Sequence, residues 1–499
     1  MNPARSAKRH ERHAPPSAPL VEELSASLDP WDVCRRLAHL PHLLFLDSAL
    51  RPETLGRHSF VAADPFAWLR ARGPRVLFTG RETRADSADP FRELQGCLVR
   101  WTAERIAGLP PFQGGAAGLF GYDLCHHLER LPRPRFDEFA APDLAVGFYD
   151  WVVAFDHQRR RTWLISTGLP ETGRKRQRRA AQRLRRVRTL LKSEPRPSGS
   201  GEPHRSLTVA APTDGVTPAL AHSLPSLPSV FSNFTPAEYL AAVRRAVEYI
   251  HAGDCFQVNL SQRLLHRATV PPLELYARLR ERNAAPFAGY FDMGDFVVAS
   301  ASPERFLRVE DGEVETRPIK GTRPRGATPD EDRRRADELL RSSKDRAENV
   351  MIIDLLRNDL GRVCEYGSVR VPHVCRLESY RYVHHLVSEV RGRLRPGMGP
   401  VDLLRAAFPG GSVTGAPKVR AMEIIAELEP TARGPYCGSL GYIGFDGTMD
   451  TNLLIRTFTV GKGWVQFPVG GGVVADSDPE GEYAETLHKA EGLLRALRD

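Results

Sequence analysis

Two pairs of acidic residues, each three positions apart, are the first feature of this chain that could do chemistry: Asp345 with Glu348, and Glu482 with Glu485. That spacing puts both members of a pair on one face of a helix. Two such faces brought together would make a hard, oxygen-rich pocket suited to Mg²⁺. The plainer reading is first-turn acids that complement a helix dipole. Just before the second pair stands VGGGVVADSD, with Gly470 and Gly472 in its glycine run. Consecutive glycines let bare backbone N–H groups approach an anion, although a tight turn uses glycines equally. Arg456, in the strand-like LLIRTFTV, and Lys489, in the last helix, offer fixed cations. An arginine inside an apolar strand is costly unless it is paired.

Lys320 lies in RPIKGTRPRG, between a stiff Pro-Ile and a Gly-Thr turn. Desolvation and nearby positive charge could keep such an amine neutral and nucleophilic. Glu304 follows the apolar run FVVAS, where a carboxyl with a raised pKa could serve as an acid. An ion pair with the adjacent Arg305 explains it equally well. His385, in VHHLVSEV, reads as a proton carrier or as a satisfied core histidine. GSVTGAPK, from Gly411 to Lys418, carries hydroxyls and a lysine that turn chemistry alone explains.

The elements that must position these residues are legible in outline. Thr235-Pro236-Ala237-Glu238 is a capping box with proline at the first helical position, and Leu240, Val243, Val247 and Ile250 give the following helix an apolar face ending at Gly253. In CFQVNLSQR, Phe256, Val258 and Leu260 alternate with Gln257, Asn259 and Ser261, which predicts a strand with one buried and one polar face. Thr328-Pro329 and Asp478-Pro479 open two further helices. Helical starts and strand-like runs mix without a regular βαβ repeat, so the fold class is α+β. Residues 1–17 read as a disordered basic tail, 18–192 as an N-terminal domain, 193–231 as a Pro/Ser-rich linker and 232–499 as the catalytic domain.

The 499 residues suffice for a large core, and a composition 41% hydrophobic and 26% charged excludes a disordered or collagen-like chain. No apolar run approaches the roughly 20 residues of a membrane span, and no secretion signal opens the chain, so a cytoplasmic location is expected. Seven scattered cysteines without a CxxC pair read as reduced thiols. The net charge of +9 is local. Residues 174–192 hold ten basic and no acidic side chains, which leaves the rest of the chain near −1. Ala180, Leu184, Val187 and Leu191 recur at helical spacing there, so an amphipathic helix with a solvated basic face is expected rather than a nucleic-acid site.

SASPERFL, RPIKGTRPRG, KDRAENVMIIDLLRNDLGRV, VHHLVSEV, FPGGSVTGAPKVRAMEII, GPYCGSLGYIG, LIRTFTV and GGGVVADSDPEGEYAET, in this order, resemble the chorismate-utilising family. That family includes anthranilate synthase component I, aminodeoxychorismate synthase component I, isochorismate synthases and salicylate synthases. The resemblance implies a four-layer α/β/β/α sandwich with an N-terminal lobe packed on the catalytic lobe. It implies Mg²⁺ at Glu348 and Glu485, with Asp345 and Glu482 outside them. Gly470, Gly472, Arg456, Tyr436 and Lys489 match positions that hold the chorismate carboxylates. Gly321, Thr322 and His385 fall in the same pocket, and Glu304 matches the acid that protonates the departing ring hydroxyl.

Two positions discriminate within the family. Water-adding members carry a lysine where Gln257 stands, so Gln257 implies ammonia as the nucleophile. Anthranilate-forming members usually have alanine where Lys320 stands in PIKGT, so the resemblance implies 4-amino-4-deoxychorismate as product, with anthranilate the alternative. No GxCxGHQ motif occurs, and a separate glutaminase subunit is therefore the expected source of ammonia. Leu46-Asp47-Ser48 resembles a segment that binds tryptophan in feedback-inhibited members, although an exposed turn is the plainer reading.

Overall fold

The computed structural model describes residues 18–51, 55–79, 89–192, 216–380 and 383–498. The proposed tail at 1–17 and most of the proposed linker lie outside the described residues. Two large antiparallel sheets and one small one carry the chain. The first large sheet has twelve strands. At its centre Leu44–Asp47 pairs with Phe287–Asp292, which pairs in turn with Phe296–Ser302 and, through it, with Thr457–Gly461. The second has eleven, with Gly115–Phe120 hydrogen-bonded to Ser439–Gly444 at its centre. Residues 18–192 and 232–499 thus share both sheets, strand against strand. Composition marks the segment between them but carries no trace of that pairing.

The layers follow from which faces are apolar. Leu44, Phe60, Phe291 and Val298 of the first sheet meet Ala117, Leu119, Leu440 and Tyr442 of the second in one buried cluster. Helices Pro30–Leu37, Gly173–Lys192, Pro272–Arg282 and Pro479–Leu497 cover the outer face of the first sheet. Helices Pro90–Arg100, Ser343–Gly361 and Pro400–Ala407 cover that of the second. The result is an α/β/β/α sandwich, with sheets and helices each burying one apolar face.

Local expectations meet the structure in detail. The Thr235–Glu238 capping box is formed in both directions. The helix it opens buries Tyr239, Ala242, Val243 and Ala246, while Leu240, Val247 and Ile250 are only half-buried, so the stripe is rotated from the one read in the sequence. In Gly173–Lys192 the buried residues include Ala180, Leu184, Val187 and Leu191, as the spacing predicts. Arg179 and Arg183 of that helix turn inward to Asp150, at 2.9 and 3.2 Å. The linker boundary at 231 needs correction: His222–Leu224 and Leu227–Ser232 are strands at the edge of the first large sheet, and the latter pairs with Leu264–Arg267. Backbone hydrogen bonding there prevails over a Pro/Ser-rich composition. Among the described residues no helix is long and apolar enough to cross a membrane.

Candidate active site

The small third sheet is the platform of the site. It has three strands: Gly415–Ala416, Gln257–Gln262 and the glycine strand Val469–Val473. The central strand was expected to have one buried face and one polar face, yet all six of its residues are buried. Phe256, expected inside, precedes the strand and is 70% exposed. The polar face of Gln257, Asn259 and Ser261 therefore lines protein interior, where unpaired groups are expensive.

Gly472 lies opposite Asn259 and Gly470 opposite Ser261. A Cβ on Gly472 would overlap Gln257 Nε2 and lie 2.8 Å from Glu348 Oε1. One on Gly471 would lie 3.0 Å from Glu482 Oε2 and 3.6 Å from both Glu485 Oε1 and Lys489 Nζ. Side chains from two helices thus crowd onto a strand kept bare by glycine. Lys489 Nζ donates to the Gly470 carbonyl at 2.9 Å and pairs with Glu485 at 2.5 Å.

Lys320 enters on the strand Ile319–Pro324. Its pairing with Val383–Arg393 slips between Lys320 and Thr322, leaving Gly321 as an extra residue at φ +79°. Such a bulge re-aims the neighbouring side chain. A Cβ on Gly321 would sit 2.9 Å from the Asp345 side chain, so glycine is required by both conformation and space. Lys320 Nζ is buried, donates to Glu348 Oε1 at 2.6 Å and approaches the Ser412 carbonyl at 3.4 Å. Gln257 Nε2 donates to the same Glu348 oxygen at 2.6 Å.

Ser412 links the amine to an acid. Its Oγ donates to Glu304 Oε1 at 2.8 Å. Burial pushes the Glu304 carboxyl up to about 7, against the opposing effects of the Ser412 hydrogen bond and the Lys320 charge. The alternative partner for Glu304 is otherwise engaged, since Arg305 pairs with Asp450 at 3.0 Å and Glu315 at 2.7 Å. The GSVTGAPK loop, explained from sequence as a turn, thus supplies a site residue that sequence reasoning passed over; its buried hydroxyls were the available signal. Its Lys418 is structural, held by Asp359 at 2.6 Å.

Arg456 does not lie inside a strand. It precedes Thr457–Gly461 at φ +54°, a sparsely populated conformation for a side-chain-bearing residue, and its guanidinium donates to the Lys489 carbonyl. Burial lowers its pKa, opposed by the nearby Tyr436 and Glu485. His385 is buried, accepts from or donates to Thr322 Oγ1 at 2.8 Å, and is pushed down to about 4 by burial and by the Arg456 charge, so it is neutral at physiological pH.

The four acidic residues divide. Glu348, Glu482 and Glu485 meet around Gly471 and Gly472, whereas Asp345 turns to Gly321 and pairs with Arg323 at 3.2 Å. Ser477 Oγ, another residue the sequence reading missed, donates to Glu482 Oε1 at 2.6 Å. Burial raises the Glu482 pKa; for Glu485 burial also raises it, but Lys489 outweighs this and the net shift is downward. Among the described residues no three His, Cys, Asp or Glu side chains are close enough to share one ion. The all-oxygen donor set nevertheless suits a hard divalent cation, and closing it around one requires the present protein partners to yield.

The segment Leu46-Asp47-Ser48 is no exposed turn. Asp47 is buried and accepts from Tyr276 at 3.0 Å and Arg280 at 2.8 Å, with the Trp31 ring stacked near Phe45 and under Arg280.

Residues 55–495 match the family described as chorismate binding enzyme. The chain belongs to the chorismate binding enzyme family. It is 40% identical over 464 residues to aminodeoxychorismate synthase component 1 of Escherichia coli, covering 93% of this chain and 94% of that protein. It is 45% identical over 422 residues to anthranilate synthase component 1 of Thermus thermophilus, covering 84% and 85%. Among solved structures, anthranilate synthase component I from Streptococcus pneumoniae superposes with a TM-score of 0.72 at 31% identity, covering 89% of this chain and 93% of that one.

Proposed function

We propose that this chain aminates chorismate to 4-amino-4-deoxychorismate, a precursor of 4-aminobenzoate and folate, using ammonia from a separate glutaminase subunit. The observation that carries the reading is the buried pair of Lys320 and Glu304 on either side of Ser412, facing an amide, Gln257, rather than a second lysine. A buried amine and a buried protonated acid are what two successive allylic displacements need.

Arg456, Lys489 and the bare glycine strand, with Tyr436 near Arg456, would hold the substrate carboxylates, while Gly321, Thr322 and neutral His385 line the adjoining wall. Lys320 Nζ, once deprotonated, attacks ring carbon C2, and the double bond shifts as the C4 hydroxyl leaves as water with the proton of Glu304. Ammonia then attacks C4, the double bond returns, and the C2–N bond to Lys320 breaks. The proton shed by the new amine restores Glu304. Glu348 and Glu485, with Glu482 beside them, would hold Mg²⁺, which supplies positive charge to the ring carboxylate and makes the diene electrophilic. Asp345, paired with Arg323, would stand outside these carboxylates.

The Thermus anthranilate synthase relative, at 45% identity, favours a second reading in which anthranilate and pyruvate are formed. Product identification by mass separates the two. Purified chain, chorismate, Mg²⁺ and ammonium are expected to give a non-fluorescent amino product that an added aminodeoxychorismate lyase converts to 4-aminobenzoate. Fluorescent anthranilate with pyruvate, formed without lyase, would replace the first reading by the second. A chelator is expected to abolish turnover and excess Mg²⁺ to restore it. Tryptophan binding at Asp47 is tested by fluorescence titration; the existing Arg280 and Tyr276 contacts predict weak or no binding.

A further inference from the structure

Buried polar atoms nearly always find a partner. On the polar face of Gln257–Gln262 two do not: among the described residues, Gln257 Oε1 and Asn259 Oδ1 are buried acceptors without a hydrogen bond. Gln257 is 1% and Asn259 8% exposed. They stand two positions apart on one face of one strand, so both unpaired acceptors lie along a single line. The Gln257 amide is oriented by its bond to Glu348, which leaves its oxygen as the open end.

The same line continues outward from the site. At the next position, Ser261 donates through both its backbone N and its Oγ to Glu429 Oε1, at 2.8 and 2.9 Å. Glu429 in turn binds Arg433 at 2.6 and 2.8 Å. Arg433 reaches back, donating to the carbonyls of Asn259 at 2.7 Å and of Val413, next to Ser412, at 2.9 Å. Glu429 and Arg433 also form the shared wall of two small crevices, of about 20 and 10 Å³. Tyr122, Asp123, His126 and Pro134 line the larger one. A ribbon of polar atoms therefore runs from these crevices, past one ion pair, along Asn259 to Gln257 and the Lys320 amine.

We infer that ammonia reaches the reacting ring along this ribbon, entering at the crevices beside Glu429 and Arg433, with Asn259 as a positioning residue. The inference rests on the amination reading above. Ammonia is small enough to pass where a larger substrate is excluded, and its N–H groups satisfy acceptors that no donor among the described residues reaches. Gly472, beside Asn259 on the neighbouring strand, adds no side chain to this face.

The test uses the full chain with chorismate, Mg²⁺ and ammonium as the nitrogen source. Asn259→Leu is expected to raise the KM for ammonium at least tenfold while the KM for chorismate stays within twofold. Asn259→Asp, which retains an acceptor, should stay within about threefold of wild type on both. Ala432→Trp, which fills the crevice wall at a residue outside the site, should raise the KM for ammonium alone. Should Asn259→Leu not fold, Asn259→Ala and Ala432→Trp decide in the same way. An unchanged KM for ammonium in folded variants, or parallel rises in both constants, overturns the route. A wild-type chain that forms no amino product from ammonium overturns the amination reading and the route with it, so the two failures are distinct.

Discussion

Two strands of this protein are buried along their whole length and differ in nearly everything else. Phe296–Ser302 sits in the first large sheet, and each of its two inward serines finishes a hydrogen bond, Ser300 with Thr457 at 2.8 Å and Ser302 with the Leu453 carbonyl at 2.5 Å. Its Val298 packs into the apolar layer between the sheets. Gln257–Gln262 belongs to the small sheet and places an amide or hydroxyl at every second position. Its outer Gln262 is closed at both ends, by Ser232 and Thr486, but toward Lys320 the acceptors of Gln257 and Asn259 stay open. Burial alone thus does not mark a strand as structural. In this pair of strands the scaffold member has its polar groups paired, and the site member leaves two acceptors unpaired.

The sharpest way to break the comparison is at Lys320. Lys320→Ala should lower kcat by at least about 10³-fold, since a nucleophile is lost, while the thermal midpoint changes little because Glu348 retains the Gln257 donor. Mass analysis of the product decides whether any amination remains.

Glu304→Gln comes next, with activity and stability moving in opposite directions. Loss of the acid should reduce kcat about 10²–10⁴-fold. The Glu304 pKa is raised to about 7 in the folded protein from an ordinary 4.5, so the folded state binds the proton more tightly and wild-type stability falls as pH rises between those values. At pH 8 that loss is about 3 kcal/mol. The glutamine variant lacks it and should denature later in urea at pH 8 than wild type, with the difference vanishing near pH 4. In wild type, the requirement for protonated Glu304 predicts a kcat that declines above about pH 7.

Gly472→Ala probes the bare strand more gently. The added methyl must displace the Gln257 amide, so the KM for chorismate should rise about tenfold, with a stability cost of about 1–3 kcal/mol. Val298→Ala in the scaffold is the counterpart with the smallest effect on chemistry. It should cost about 2 kcal/mol in chemical denaturation, yet leave turnover per folded molecule within about twofold. A large fall in kcat there would erase the distinction between the two strands.

Much of this was legible in the sequence because its causes are local. Thr235, Thr328 and Asp478 each cap the helix they precede, through hydrogen bonds spanning three residues. The buried stripe of Gly173–Lys192 follows from helical spacing alone. The residue types of the site, from Lys320 and Glu304 to the carboxylates and the glycine run, also stand out, because an amine, an acid and bare backbone are needed wherever such chemistry occurs. The strand of Gln257 was legible as a strand, but its polar face was not legible as interior, since alternation looks the same whether it faces water or a site.

What tertiary structure decided is which atoms meet. Lys320 and Glu348 are 28 residues apart and Ser412 and Glu304 are 108 apart, and each contact depends on the register of strands and the placement of helices against them. The bulge at Gly321 that aims Lys320, the turning of Asp345 away from the other carboxylates, and the pairing of Leu44–Asp47 with Phe287–Asp292 leave no periodic signal. Hydrogen bonds between neighbours in sequence are dictated by residue type and spacing. Contacts between distant segments are set by the packing of whole sheets, whose register is decided by many side chains together.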